Sequence, residues 1–95
     1  VLVVHGYRDD DDAVAIANDS DFGLSGSVWT ADPGRGVAVA GRIRTGTCAV
    51  NSGVIVEPKN PFGGFRSSGI GREMGPEGVE AYLETRTVVM PPAAP

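Results

Sequence analysis

Two side chains of this 95-residue sequence are of types that carry out covalent chemistry, its single cysteine and its single histidine. A cysteine attacks as the thiolate, which needs a nearby base or positive charge to lower the pKa of the thiol. Cys48 lies between Thr47 and Ala49 in a segment typical of a strand, with no basic cluster beside it. We therefore interpret Cys48 as a buried structural thiol and predict no catalytic residue in this chain. A small thiol enzyme that uses Cys48 and His5 is the alternative, and it requires that Cys48→Ser abolish turnover.

The segment Gly69–Gly75 has a spacing similar to that of nucleotide-binding loops. A dinucleotide fingerprint is Gly-x-Gly-x-x-Gly in the turn between a strand and a helix. Here the third glycine comes one residue late, and Ser67-Ser68 stands where a hydrophobic strand is needed. We interpret these glycines as positions of tight backbone packing, and we predict no cofactor-binding residue in the chain.

Acidic residues outnumber basic ones by 12 to 8, which gives a net charge of −4 and argues against a nucleic-acid partner. The four carboxylates of the acidic run, Asp9 to Asp12, lack the ligand spacing of a calcium loop and are interpreted as a solvated helix start, so we predict no metal site. No stretch approaches the ~20 apolar residues of a membrane span, and the first residues lack the basic, apolar, small-residue order that is typical of a signal peptide. These patterns predict a cytoplasmic protein that binds neither nucleic acid nor membrane.

The elements that position these side chains follow the order strand, helix, strand, helix, strand over residues 1–51. Apolar β-branched runs predict the strands, and acidic or Asp-Pro starts predict the helices. The predicted elements are a strand at Val1–Val4, a helix from the acidic run to Asn18, a strand at Leu24–Thr30, a helix from Asp32-Pro33 with Gly46 as its left-handed cap, and a strand at Thr47–Asn51. This order favours an α/β fold with a partial parallel sheet.

Three further segments follow. Residues 52–75 lack regular periodicity, and a loop of this length in a compact domain is usually functional. Residues 76–90 predict a helix with Val79, Tyr82 and Leu83 on one face, followed by a short strand that ends at Met90. Residues 91–95 are a proline-rich tail, which cannot continue a strand.

The first residue, Val1, already belongs to an apolar run that has no cap, turn or solvated lead-in before it. Natural termini are usually surface segments, so we expect that further residues precede Val1. The strands and the covering layer that such residues would supply are needed to complete the sheet. We therefore expect an incomplete sheet with an exposed apolar face.

Several segments, taken in order, resemble the C-terminal part of the NAD(P)-dependent aldehyde dehydrogenase superfamily, and the resemblance covers the chain up to the proline tail. It rests on Ala15-Ile16-Ala17-Asn18-Asp19 running into Phe22-Gly23-Leu24, on Arg44-Thr45-Gly46-Thr47 leading to Val50-Asn51, and on the run from Pro61-Phe62-Gly63-Gly64 to Gly71-Arg72-Glu73. The resemblance implies that the chain is the C-terminal part of a catalytic domain of that family.

The resemblance also implies a reaction in which a cysteine thiolate attacks an aldehyde, hydride passes to NAD or NADP, and water activated by a glutamate hydrolyses the thioester. In the family the nucleophile, the glutamate and the cofactor domain lie upstream of the part that this chain matches. Cys48 matches a strand position and not the nucleophile. The chain alone is therefore expected to bind no cofactor and to be inactive.

By the same resemblance, the loop from Gly53 to Phe62 lines the outer part of the substrate tunnel. Phe62 is the main candidate wall residue, and Val56 stands at a position often occupied by a larger aromatic side chain. Val54 and Ile55 keep the loop apolar. A wider or more aliphatic entrance for the aldehyde is implied.

The last predicted strand resembles the oligomerisation segment of the family and comprises Arg86, Thr87, Val88, Val89 and Met90. The implied partners are the remainder of the enzyme and a neighbouring subunit of a homo-oligomer, because an unpaired strand edge gains backbone hydrogen bonds on association. The alternative function is a stand-alone interaction module derived from an aldehyde dehydrogenase.

Overall fold

A computed structural model describes residues 1–95 of the chain. It contains three helices and four short strands. In chain order these are α1 (Asp10–Asn18), β1 (Phe22–Gly23), β2 (Ser25–Val28), α2 (Pro33–Ala40), β3 (Thr47–Val50), β4 (Phe65–Arg66) and α3 (Gly75–Glu80). None of the three helices has the length and the apolar composition that a membrane span requires.

Helix α1 begins at the acidic run, as predicted. The Asp9 carboxylate caps it by accepting a hydrogen bond of 2.9 Å from the amide of Asp12. The other three acidic residues occupy the first turn, where the helix dipole favours negative charge. Local side-chain chemistry is therefore enough to start this helix.

The acidic run also connects α1 to α2. Arg35 of α2 donates two hydrogen bonds to the carboxylate of Asp10, at 2.8 and 2.5 Å, and Arg42 donates one to Asp11 at 2.6 Å. The Arg35 guanidinium lowers the pKa of the Asp10 carboxyl, chiefly through these hydrogen bonds. Both pairs are exposed, so their main effect is to orient the two helices rather than to add much stability.

Helix α2 starts with Asp32 as its cap and Pro33 at its first turn, which confirms the predicted start. The predicted end is wrong, because the helix stops at Ala40 and Gly46 is not its left-handed cap. Gly46 instead lies against the backbone of Gly63, where a Cβ would come within 1.6 Å of the carbonyl oxygen of Gly63. The residue is a glycine because two segments cross there, and not because a helix ends there.

The sheet is smaller than predicted. Strands β2 and β3 pair in parallel, from Ser25 opposite Thr47 to Val28 opposite Val50, and α2 packs on both. Gly36 of α2 permits this packing, because a Cβ there would lie 2.6 Å from the Cγ1 of Val50. Strands β1 and β4 form a separate antiparallel pair.

Two of the predicted strands are not formed within this chain. Val1–Val4 and Arg86–Met90 form no strand in the structure, and both segments are exposed. A strand requires a hydrogen-bonded partner, and neither segment has one within this chain. The predicted strand, helix, strand, helix, strand order is thereby reduced to a single β2–α2–β3 unit preceded by α1. The last helix also ends earlier than predicted, so Tyr82 and Leu83 lie beyond it and are exposed.

The expectation of an incomplete sheet with an exposed apolar face is confirmed. Of the 95 residues 5 are buried, and the only large hydrophobic one is Val14; the other four are Gly23, Gly36, Gly64 and Gly78. The radius of gyration is 19.5 Å. A compact domain of this length would have a radius of gyration of about 12 Å. The chain therefore exposes most of the apolar surface that its sequence carries.

Candidate functional site

The predicted tunnel loop, Gly53–Phe62, leaves the carboxyl end of the parallel strand pair. Asn51 fixes the exit: its side-chain oxygen accepts a 2.8 Å hydrogen bond from the amide of Thr30, and its own amide donates to the carbonyl of Val28 at 2.8 Å. The φ of Asn51 is 52°, a left-handed conformation that asparagine tolerates better than most residues. Parallel sheets commonly bind ligands beyond the carboxyl ends of their strands. The loop thus starts where such a site is expected.

The middle of this loop is apolar and lightly held. Ile55 is 69% exposed and Val56 is 50% exposed, whereas Val54 is half-buried. Between Asn51 and Phe62, the loop's backbone hydrogen bonds join Asn60 to Glu57 and Gly75 to Pro58. The side chains of Val54, Ile55 and Val56 can contact an apolar molecule, but they supply no acid, base or nucleophile.

Phe62, at the end of the loop, is held much more firmly. Its amide donates to the carbonyl of Glu73 at 2.7 Å, and the amide of Glu73 donates back at 2.8 Å. Phe62 is half-buried and lines an open cleft of about 340 Å³, together with Leu24, Arg72 and Glu73 among others. Val54, Ile55 and Val56 do not line this cleft. The structure therefore brings Phe62 to a cleft without joining it to the rest of the predicted tunnel wall.

The glycine-rich segment has no nucleotide-binding geometry. The two-residue strand β4 and Ser67-Ser68 precede it, and the six-residue helix α3 that follows has no side-chain cap. The prediction of tight packing is confirmed for Gly75, where a Cβ would lie 2.8 Å from the nitrogen of Pro61. It is wrong for Gly69 and Gly71, which have open space around them. Gly69 is required by its φ of 139°, which other residues rarely adopt.

A second cavity of about 350 Å³, which was not predicted from the sequence, lies between α1, α2 and β2. Its wall includes His5, Tyr7, Trp29 and the Asp10–Arg35 pair. The two charged side chains already bind each other, and no buried side-chain polar atom of the chain lacks a partner. The one residue whose type could have indicated this cavity is Trp29, a large side chain that is 68% exposed on the strand side of the cavity. This cavity is consistent with a packing surface and does not assemble a reactive group.

Cys48 lies in β3 opposite Gly26 of β2 and is half-buried. Burial raises the pKa of its thiol, which reduces the fraction of reactive thiolate at neutral pH. His5 lies in the wall of the second cavity, and Cys48 is not among the residues lining it. No group of three or more His, Cys, Asp or Glu side chains is placed to hold a metal ion. The geometry therefore gives no support to a thiol enzyme.

We expect Cys48, in an enzyme that carries this chain in folded form, to be alkylated by iodoacetamide more slowly than in the same enzyme unfolded in urea. The reason is that a raised thiol pKa shifts the onset of thiolate formation to higher pH in the folded state. Peptide mass spectrometry across a pH series measures both rates at this one residue. Equal rates at every pH would contradict the prediction.

Comparison with known proteins gives a consistent result. Residues 1–88 match the model of the "Aldehyde dehydrogenase family". The chain is 46% identical over 90 residues to geranial dehydrogenase of Castellaniella defragrans, which covers 95% of this chain and 19% of that protein. It is 44% identical over 88 residues to betaine aldehyde dehydrogenase of Brucella melitensis, which covers 93% of this chain and 18% of that protein. The chain thus spans less than a fifth of the length of these relatives.

Solved structures that resemble this chain are also aldehyde dehydrogenases. A Mycobacterium tuberculosis aldehyde dehydrogenase complexed with NAD+ superposes with a TM-score of 0.84 at 50% identity, over 90% of this chain and 17% of that one. A point mutant of apo betaine aldehyde dehydrogenase from Staphylococcus aureus superposes with a TM-score of 0.87 at 40% identity, again over 90% of this chain and 17% of that one. The arrangement of helices and strands described above is therefore one found within larger α/β enzymes.

Proposed function

Because the chain belongs to the aldehyde dehydrogenase family, we propose that it forms the C-terminal part of the catalytic domain of an oxidoreductase that converts an aldehyde to a carboxylic acid with NAD+ or NADP+. In this role it supplies part of the substrate-tunnel wall and subunit contacts, while the nucleophile, the base and the cofactor site lie in the rest of the enzyme. The observation that carries the proposal is the exposed apolar loop that leaves the carboxyl end of β3 and ends at the fixed residue Phe62.

The residues of this chain do not fit a dinucleotide, because the glycine-rich segment neither follows a hydrophobic strand nor opens a capped helix. When bound elsewhere in the enzyme, the nicotinamide supplies a hydride acceptor. The chain's own contribution is binding and orientation: an apolar loop that excludes water from the path of the aldehyde. The small side chain of Val56 leaves room for a broad aliphatic substrate.

The terminal segment, Arg86–Met90, supports the proposed subunit contact. Val88, Val89 and Met90 are 72%, 86% and 79% exposed. No backbone hydrogen bond holds this segment within the chain. An extended apolar segment with free backbone groups is suited to joining the edge of a sheet in a neighbouring subunit of a homo-oligomer.

A chimaera tests the proposal. In it, the part of Castellaniella defragrans geranial dehydrogenase that matches this chain is replaced by this chain. We expect NAD+-dependent oxidation of geranial with a kcat within about tenfold of the parent enzyme, which corresponds to a barrier change of about 1.4 kcal/mol. NADH absorbance measures the rate, and light scattering measures the oligomeric state.

Two variants of the chimaera assign the roles. Phe62→Ala is expected to change the KM for bulky aldehydes more than the KM for acetaldehyde, because it removes wall surface only where a large substrate reaches. Deletion from Arg86 onward is expected to reduce the oligomer size. A chimaera that folds and assembles like the parent but oxidises no aldehyde would refute the proposal.

A further inference from the structure

The backbone of Phe62 is held by the backbone of Glu73, which belongs to none of the four strands. The two hydrogen bonds between Phe62 and Glu73 form an isolated antiparallel bridge, without a longer ladder on either side. A single bridge of this kind opens easily unless other groups hold the two segments of the chain together. The residue next to Glu73 is Arg72, and its side chain reaches the segment that carries Phe62.

Arg72 joins the two sides of the bridge. Its Nη1 donates to the carbonyl of Gly64 at 2.9 Å and to the carbonyl of Gly71 at 2.7 Å. The guanidinium carbon also lies 5.5 Å from the centre of the Phe65 ring, within the range of a cation–π contact. One half-buried side chain thus holds the backbone on both sides and the aromatic residue between them.

Gly63, next to Phe62, leaves the space that Arg72 occupies. A Cβ at Gly63 would lie 2.3 Å from the carbonyl oxygen of Gly71 and 2.8 Å from the Cδ of Arg72. The close approach of backbone and guanidinium is therefore possible only with glycine at position 63. Lysine cannot replace this contact in full, because its ammonium is a point charge without the planar face that stacks on a ring.

We propose that Arg72 is the positioning residue that sets the place of Phe62 in the aldehyde entrance, a role that rests on the proposed function of Phe62. Arg72 acts through the backbone of residues 62–64, because its guanidinium is engaged by the carbonyls of Gly64 and Gly71 and by the ring of Phe65. Its removal leaves the catalytic groups of the enzyme unchanged and loosens only the wall. The effect therefore falls on KM for aldehydes large enough to reach that wall.

The test uses the chimaera with Arg72→Met and Arg72→Lys, and with Arg35→Met as a matched control on α2. We expect Arg72→Met to raise the KM for geranial by about fivefold or more, and to leave kcat and the KM for acetaldehyde within about twofold. Arg72→Lys is expected to fall between Arg72→Met and the unsubstituted chimaera. Arg35→Met is expected to leave all three constants unchanged.

Hydrogen exchange supplies a readout that does not depend on substrate. We expect the peptides that carry the amides of Phe62 and Glu73 to exchange faster in Arg72→Met, whereas the peptides of α1 and α2 keep their protection.

The double variant Phe62→Ala with Arg72→Met should show a non-additive change in KM, because both substitutions remove the same wall.

The outcomes separate the two proposals. If Phe62→Ala leaves the KM for every aldehyde unchanged, the proposed function of Phe62 is wrong, whatever Arg72 does. If Phe62→Ala shifts KM while Arg72→Met changes neither KM nor exchange, the inference about Arg72 is overturned and the proposed function stands. If Arg72→Met is insoluble, Arg72→Lys decides: KM and exchange equal to those of the unsubstituted chimaera contradict the inference.

Discussion

Substitution of Gly46 by alanine is expected to abolish folding of the chimaera, with no soluble, assembled enzyme recovered. A Cβ at this position would lie 1.6 Å from the carbonyl oxygen of Gly63 and 2.7 Å from its carbonyl carbon. Both atoms belong to backbone, which cannot rotate aside as a side chain can. Because Gly63 directly follows Phe62, any shift that accommodates the methyl group also moves Phe62. We expect a loss of more than about 4 kcal/mol in the free energy of unfolding.

Gly53→Ala is the matched control for this substitution, because a Cβ at Gly53 would meet no atom within 4 Å. The chimaera with Gly53→Ala should be as soluble as the unsubstituted form, and its thermal midpoint should be similar or slightly higher. Soluble yield and differential scanning fluorimetry measure both variants. A Gly46→Ala chimaera with an unchanged midpoint would show that residues 46 and 63 do not cross as closely as the structure has them.

The 95-residue chain expressed by itself is expected to associate into large soluble aggregates rather than to form a compact monomer. Val14 is the only large hydrophobic side chain that the fold buries, and the radius of gyration is 19.5 Å. Exposed apolar faces and unpaired strand edges both drive association in water. Size-exclusion chromatography with light scattering measures the size, and fluorescence of a dye that binds apolar surface reports the exposure.

A charged pair of substitutions in the terminal segment tests the route of association. Val88→Lys combined with Val89→Lys should reduce aggregate size without producing a compact monomer, because lysine protects strand edges but leaves the other apolar faces uncovered. A well-folded monomer or a discrete dimer of the unsubstituted chain would contradict the prediction. It would favour the alternative of a stand-alone interaction module.

The starts of two helices were predictable from sequence because the chemistry that starts them is local. Asp9 and Asp32 each cap the backbone amides two or three residues ahead, and Pro33 is preset for a first helical turn. The parallel strands β2 and β3 were predictable as well, since α2 links them and covers both. These predictions depend on residues that are near one another in the chain.

The remaining differences between the predicted and the observed elements all arise from contacts between residues that are distant in the chain. Val1–Val4 and Arg86–Met90 have the composition of strands, but a strand forms only against a partner, and none lies within these residues. Gly46 looks like a helix cap in sequence, whereas its real contact is Gly63, 17 positions further along. The hydrogen bonds from Arg72 to Gly64 and Gly71 likewise have no signature that sequence alone displays.

Four of the five buried residues are glycines, and this has a consequence for how such enzymes diversify. The closest contacts of the fold are made by the backbone at these buried glycines. The fold therefore tolerates few mutations at the buried glycines and many at residues with exposed side chains. Ile55 and Val56 project from the fold with half or more of their surface free. If the loop lines the aldehyde entrance as proposed, single mutations at these two positions are expected to change the range of aldehydes accepted at little cost in stability. On that proposal, evolution toward new substrates can proceed in this loop one residue at a time, without compensating changes elsewhere.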